Sequence, residues 1–242
     1  MSEHQLTHVS KQLKKRAVLV QRGGIRAAVL GVNDGLVSTV CLVVGIAATG
    51  AHSSTVLIAG LAGLLAGAIS MAAGEWISVK AQVELFEGVL SDLRASMKDE
   101  KDHLVHSLAH TLASGGMEIH TAHQASKDIA RNDNDFIAIY TAQVIGMNKD
   151  ELGSPWRAAG SSFVLFALGA FVPIIPWLIG GGPIAIASSV IATSLAGLFV
   201  GAFIARTSGK SISYGALRQL LIIIGSSVVT YVIGYLFGVS AV

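Results

Sequence analysis

Apolar residues form two blocks along the chain, and a polar block separates them. Five stretches are apolar over the roughly 20 residues that a helix needs to cross the hydrocarbon core of a bilayer. Continuous runs of this length predict helices, because the strands of membrane barrels alternate in segments of about 10 residues. The expected spans cover about 26–49, 55–79, 158–179, 183–205 and 217–238.

This pattern predicts an all-α fold, a five-span helical membrane protein with a small cytoplasmic helical insert between spans two and three. The expected divisions are a basic cytoplasmic N-terminal segment at 1–25, spans one and two at 26–79, the insert at 80–155, and spans three to five at 156–242.

The composition supports a membrane protein. Hydrophobic residues make up 52% of the chain and charged residues only 13%, with a mean hydropathy of +0.63. A typical soluble domain is about 25% charged, so the composition argues against a soluble globule. A single cysteine, Cys41, excludes a disulfide framework and a cysteine-based zinc cluster.

The distribution of lysine and arginine predicts the orientation. Basic residues precede the first span, occupy the insert and lie before the fifth span, whereas the loops at 50–54 and 180–182 contain none. By the positive-inside rule, the N-terminus and the insert are cytoplasmic and the C-terminus lies outside. The start of the chain lacks the pattern of a cleavable signal peptide. The expected location is a bacterial inner membrane, or a vacuolar membrane if the source is eukaryotic.

Two carboxylates lie inside the predicted spans, where an ionisable side chain is costly and usually functional. Asp34 lies near the start of the first span and Glu75 late in the second. Met71 and Glu75 are four residues apart and therefore share one helical face. Other interpretations remain open: Asp34 as a helix N-cap, Glu75 as a solvated interfacial residue, and Met71 as a packing residue.

These side chains suit a divalent cation. Carboxylates bind hard and borderline metal ions, and a thioether biases the site away from magnesium and calcium. A medium of low dielectric constant favours the neutral acid, so the same carboxylates can also hold protons. A site that binds either a metal or protons is what an antiporter requires.

Four segments of the chain are informative in combination: GVNDGLVSTVCLVVGIA, SMAAGEWISVKAQ, LGSPWRAAGSSFVLFALGAFVPIIPWL and LRQLLIIIGSSVVTYVIGYLFG. With them the chain resembles the vacuolar iron transporter family of proton-coupled ferrous iron and manganese exporters, and the resemblance extends through all five spans. It implies a homodimer whose ion path lies between the first and second spans of the two subunits, lined by Asp34, Met71 and Glu75.

The insert departs from the family pattern. In metal-binding members of the family, the resemblance implies glutamate and methionine ligands in a three-helix cytoplasmic domain. Only Asp135 keeps an acid at such a ligand position. The other corresponding positions fall near Leu93, Ser96, Leu104, Ser107, Arg131 and Asn132.

Histidines and acids elsewhere in the insert form a second candidate metal set. Imidazoles three and four residues apart on a helix share a face and could hold iron, manganese, zinc, nickel or cobalt. The alternative is a solvated helical face with some buried histidine. The candidates are His103, His106, His110, Glu118, His120 and His123, together with Glu84 and Glu87 on the extension of the second span.

The expected function is export of ferrous iron, with manganese as a second substrate, from the cytoplasm in exchange for protons. No phosphate loop, nucleophile triad or nucleotide fingerprint is present in the sequence, so we expect neither an enzyme nor a resident cofactor. The expected partners are a second copy of the chain, the lipid bilayer and divalent metal ions, not nucleic acid. The alternatives are a membrane-anchored metal sensor or scaffold without transport, and a carrier of another transition metal.

Overall fold

A computed structural model of the chain describes residues 24–148 and 152–240, and this part of the chain is helical without any strand. Most of the predicted N-terminal segment therefore lies outside the described residues. The eight α-helices of this part are α1 (Gly24–Ala48), α2 (Ser53–Asp99), α3 (Lys101–Ser114), α4 (Ile119–Ile129), α5 (Asp133–Tyr140), α6 (Pro155–Ile179), α7 (Gly182–Thr207) and α8 (Ile212–Ser240).

Five of these helices are long and apolar enough to cross a membrane: α1, α2, α6, α7 and α8. The predicted five-span, all-α class is confirmed. The helix that contains the second span is longer than the span itself, because α2 continues without a break to Asp99. Residues 77–99 contain no proline and are rich in good helix formers, so the chain has no local reason to end the helix at the membrane boundary.

The chain divides into two compact units. The first, which we call the span bundle, combines the helical residues up to Trp76 with those from Trp156 onward; the second, the middle unit, is Ile77–Pro155.

The span bundle is apolar outside as well as inside. Its core includes Val40 and Val43 of α1, Phe166 and Ile174 of α6, and Ile223 of α8. The outward faces are equally apolar, and several of their large side chains are more than half exposed, among them Ile58, Leu65 and Ile69 of α2 and Leu195, Phe199 and Phe203 of α7. Soluble proteins rarely expose such continuous apolar surface, so the bundle is built for lipid.

Glycine lets α1 and α6 cross with their backbones in contact. A methyl group built on Gly35 would lie 2.8 Å from the backbone nitrogen of Ala170 and closer still to the carbonyl oxygen of Phe166. From the other side, a methyl group on Gly169 would meet the backbone of Val32. Small residues at such crossings are the usual means by which membrane helices approach closely, and this crossing holds the turn of α1 that contains Asp34.

The middle unit has a hydrophobic core of its own. Leu93 and Met97 from the end of α2 pack with Leu108 of α3 and with Phe136 and Tyr140 of α5. A five-residue π-helical segment, Thr141–Ile145, follows α5 directly. These contacts are made between side chains that are almost completely buried, so the unit is packed as a small globular domain.

Residues near the positions where the resemblance implies metal ligands serve this packing. Leu93 is 6% exposed and belongs to the core, and Leu104 packs against it. The hydroxyl of Ser107 lies 3.4 Å from that of Tyr140, which donates to it. The described part of the middle unit therefore uses packing and neutral polar contacts where the family resemblance would place carboxylates.

Candidate functional site

Asp34 lies in the middle of α1 and not at its start. The helix begins at Gly24, and the Ser38 hydroxyl donates a 2.5 Å hydrogen bond to the Asp34 carbonyl oxygen one turn away. The alternative that Asp34 is an N-cap is therefore wrong. Its side chain is exposed on the surface of the single chain. Among the described residues, no ion pair or hydrogen bond neutralises its carboxylate.

Asp34 and Met71 line one cleft between α1 and α2. The cleft has a volume of about 470 Å³. Its polar lining residues are Asp34 and three residues with hydroxyl groups, and Met71 is the sulfur-containing one. Two of the lining residues from α2 are glycines. The lining residues are Asp34, Ser38, Thr39, Leu42, Gly63, Gly67, Ser70, Met71 and Phe166.

Glu75 lies one helical turn beyond Met71 on α2 and is half-buried. It continues the row formed by Gly63, Gly67 and Met71 at intervals of four residues, but it does not line the cleft itself. No cation among the described residues pairs with its carboxylate. The structure thus brings two of the three predicted path residues together and places the third next along the same helical face.

A buried polar contact behind Asp34 was missed by the sequence analysis. The side-chain amide of Gln219 on α8, which is 3% exposed, donates to the side-chain oxygen of Asn33 on α1. Gly197 and Gly201 of α7 make room for the stem of Gln219. An amide inside the apolar run LRQLLIII was the available signal, because a polar group at this depth needs a partner on a neighbouring helix.

The structure brings together some of the predicted histidines of the middle unit and not others. Nε2 of His106 and Nε2 of His110, one turn apart on α3, are 3.1 Å from each other, and the two rings meet edge to face. The ring of His123 on α4 lies against His106, with 4.9 Å between the ring centroids. No ring contact joins His103 or His120 to this group in the described residues.

The acids of the predicted second set have other neighbours. Glu118 caps α4, where its carboxylate accepts hydrogen bonds from the backbone N–H (2.9 Å) and the hydroxyl (3.0 Å) of Thr121. The N–H of Thr121, that of His120 and the Thr121 hydroxyl lower the pKa of Glu118 by stabilising its charged form. Glu84 pairs with Lys80 at 3.2 Å on the exposed surface of α2.

The last two predicted acids are exposed. Glu87 is on the surface of α2. Asp135 is in the first turn of α5 and lines a separate hollow of about 410 Å³ with Asp128 and Arg131. As the side chains stand in residues 24–148 and 152–240, no three of the His, Cys, Asp and Glu residues form a group that could hold a metal ion.

The chain is similar to known proteins over most of its length. A model of the VIT family matches residues 25–235. The chain is 33% identical over 224 residues to a protein named vacuolar iron transporter homolog 1 from Oryza sativa subsp. japonica, which covers 90% of this chain and 75% of that protein. It is 30% identical over 187 residues to vacuolar iron transporter 1 from Arabidopsis thaliana, with 73% and 70% covered. The resemblance seen in the span motifs is confirmed, and the chain belongs to the VIT family.

Proposed function

We propose that this membrane protein is a carrier that moves ferrous iron, and manganese as a second substrate, out of the cytoplasm in exchange for protons. The observation that carries the proposal is the cleft lined by both Asp34 and Met71, in which the Asp34 carboxylate has no partner among the described residues. An unpaired carboxylate in a membrane span is costly, so it is expected to bind a cation during the working cycle. Relatives named vacuolar iron transporters point to iron as that cation.

The donor set supports a transition metal over magnesium or calcium. Hard ions prefer oxygen donors alone, whereas a thioether favours softer and borderline ions such as ferrous iron. Two carboxylates, Asp34 and Glu75, can balance a divalent charge. When both take up protons they lose that charge and release the metal, which couples the two movements.

We propose that the working unit is a homodimer. In the described residues the cleft is lined by α1, α2 and Phe166 of α6, and Asp34 is exposed in the single chain. A single chain supplies one aspartate, one methionine and one glutamate as candidate donors. A second copy facing the first across α1 and α2 would double the donors and shield Asp34 from lipid.

The direction of transport follows from the proposed orientation. Lysine and arginine are concentrated in the N-terminal segment, the middle unit and the loop before α8, so we place these parts in the cytoplasm and the C-terminus outside. Metal would then enter the cleft from the cytoplasm and leave as protons arrive from the opposite side.

Reconstitution into liposomes tests the proposal. We expect the liposomes to take up Fe²⁺ and this uptake to accelerate when a pH gradient is imposed. Protons should cross the membrane in the opposite direction. Asp34→Asn and Glu75→Gln keep the size of each side chain but remove its charge, and both should abolish transport. Asp92→Asn, an exposed position on the same helix as Glu75, is the matched control and should transport normally. Unchanged Fe²⁺ transport by Asp34→Asn and Glu75→Gln would refute the mechanism.

Met71 tests selectivity separately from transport. Met71→Leu nearly conserves volume but removes the sulfur donor. We expect Fe²⁺ transport to fall more than Mn²⁺ transport, because the thioether favours the softer ion. Equal loss for the two metals would show that Met71 acts by packing alone.

A further inference from the structure

A group of histidines in the middle unit is remote in sequence from the residues that line the Asp34 cleft. It consists of His106 and His110 on α3 and His123 on α4. We propose that these three side chains, which we call the histidine clip, bind a borderline divalent metal of the zinc type and thereby join α3 to α4. The proposal is independent of transport, since none of these residues lines the proposed path.

The distance between two donor nitrogens is the first observation that supports a metal site. Nε2 of His106 and Nε2 of His110 are 3.1 Å apart. Two nitrogens bound to one tetrahedral zinc ion at about 2.0–2.1 Å are themselves about 3.4 Å apart. One imidazole donates a hydrogen bond to the other in this contact. A metal ion that replaces this hydrogen bond requires the two nitrogens to separate by only a few tenths of an ångström, together with rotation of the rings to point both lone pairs at the metal.

The spacing of the pair supports the same conclusion. Histidines at i and i+4 on a helix form the zinc-binding pair of the H-E-x-x-H motif because both rings project from one face. In this chain the segment is His106-Ser-Leu-Ala-His110. Leu108 and Ala109 of that turn are fully buried, which holds the backbone of the pair in place while both rings remain exposed.

The third ligand comes from the neighbouring helix. The ring of His123 lies 4.9 Å from that of His106, with an angle of 38° between the planes. Rings tilted against each other in this way do not aim their nitrogens at one point. This agrees with the absence of a ready three-residue site in the described part of the chain. Rotation about the Cβ–ring bond is broad for histidine, so the His123 ring can turn toward the pair without movement of the backbone.

The charges around the clip allow a cation to approach. A hollow of about 590 Å³ beside His106 and His123 is lined by Lys101, Asp102 and Lys127. Lys101 is already paired with Asp133 at 2.7 Å. The Asp102 carboxylate in the same hollow offsets the remaining lysine. His106 and His123 therefore face a surface without a large excess of positive charge.

The donor set indicates the class of metal. Imidazole suits zinc, copper, nickel and iron, whereas manganese, calcium and magnesium prefer oxygen donors. The clip contains three nitrogens and no sulfur. The expected preference is for zinc, cobalt and nickel over manganese, in contrast to the carboxylate and thioether donors of the Asp34 cleft.

The test uses the full-length chain in detergent without a polyhistidine tag, with Co²⁺ as the spectroscopic probe and Zn²⁺ as competitor. We expect Co²⁺ to produce the intense visible bands of a tetrahedral site, and Zn²⁺ to remove them. Loss of an outer-shell partner of a metal ligand already costs about 10–100-fold in affinity, so His106→Gln and His123→Gln should each weaken binding by at least about tenfold. His103→Gln on α3 and His120→Gln on α4, one turn away, should bind as the wild type does.

A second readout reports the joining of the helices. Zn²⁺ should slow hydrogen exchange in α3 and α4 of the wild type, because a ligand that binds only the folded state suppresses opening. Neither His106→Gln nor the double variant with His110→Gln should show this protection. The proposal is overturned if His106→Gln binds Co²⁺ and Zn²⁺ as tightly as the wild type, or if His103→Gln weakens binding as much.

Discussion

The crossing of α1 and α6 can be tested with one added methyl group. Gly169→Ala places a Cβ atom 3.1 Å from the carbonyl carbon of Val32 and closer still to its oxygen. Ordinary contact between non-bonded heavy atoms requires about 3.5 Å or more. The obstacle is backbone, which cannot rotate aside as a side chain can, so α6 must move away from α1.

Gly160→Ala on the same helix is the matched control, because a Cβ atom there meets nothing within 4 Å. Both substitutions gain the same helix propensity, at most about 1 kcal/mol. Overpacking lowers the free energy of unfolding by about 1–3 kcal/mol. We expect Gly169→Ala to lie at the upper end of this range, because the added methyl group meets backbone atoms. The free energies of unfolding of the two variants should therefore differ by about 3 kcal/mol, which is roughly a hundredfold in the unfolding equilibrium constant.

The assay is unfolding of the purified chain by titration of a mild detergent micelle with a denaturing detergent. We expect Gly169→Ala to unfold earlier than the wild type, and Gly160→Ala to match the wild type or exceed it. The methyl group of Gly35→Ala meets the facing backbone of α6. The double variant with Gly169→Ala should lose less stability than the sum of the two single losses, because one separation of α1 from α6 relieves both clashes. Equal stability of the Gly169→Ala and Gly160→Ala proteins would refute the close backbone packing.

Three further predictions concern contacts away from this crossing. Gln219→Met keeps the stem but removes the hydrogen bond to Asn33, and it should cost about 1 kcal/mol in the same unfolding assay; lack of any loss would contradict the contact. Phe136→Ala empties a fully buried position of the middle unit and should cost about 3–5 kcal/mol, seen as faster hydrogen exchange in α3 and α5; unchanged exchange would contradict the core. Folding lowers the pKa of Glu118, so its cap stabilises α4 at pH values above the unfolded pKa and is lost as the pH falls through the folded pKa. Protection of the Thr121 amide, corrected for intrinsic exchange, should follow that loss in the wild type and not in Glu118→Gln.

The five spans could be predicted from the sequence because crossing a bilayer depends on the hydropathy of about 20 consecutive residues, which is a local property. The predicted span limits agree with α1, α6, α7 and α8 to within a few residues. For α2 the hydropathy of the sequence predicted only the apolar part of the helix, which continues to Asp99. Hydropathy reports where lipid begins and ends, whereas helix ends depend on breakers and caps, and α2 has none at its membrane boundary.

Helical periodicity alone could not predict which histidines form the histidine clip. Spacing places His103, His106 and His110 on one face of α3, but His103 and His110 are separated by about 10.5 Å along the helix axis. One metal ion cannot bind both. The partner that completes the group is His123, and its selection depends on how α4 returns after the turn at Gly115 and Gly116.

By itself, the sequence determined the class of protein, the five spans and the identity of the costly residues Asp34 and Glu75, because each depends on composition or on neighbours along the chain. The tertiary structure decided that Asp34 and Met71 share a cleft, that Asn33 is held by Gln219, and which histidines meet. These results depend on how far each helix is rotated and how closely it approaches the next. That rotation is decided by contacts between distant segments, such as Gly35 against Phe166, which no local pattern records.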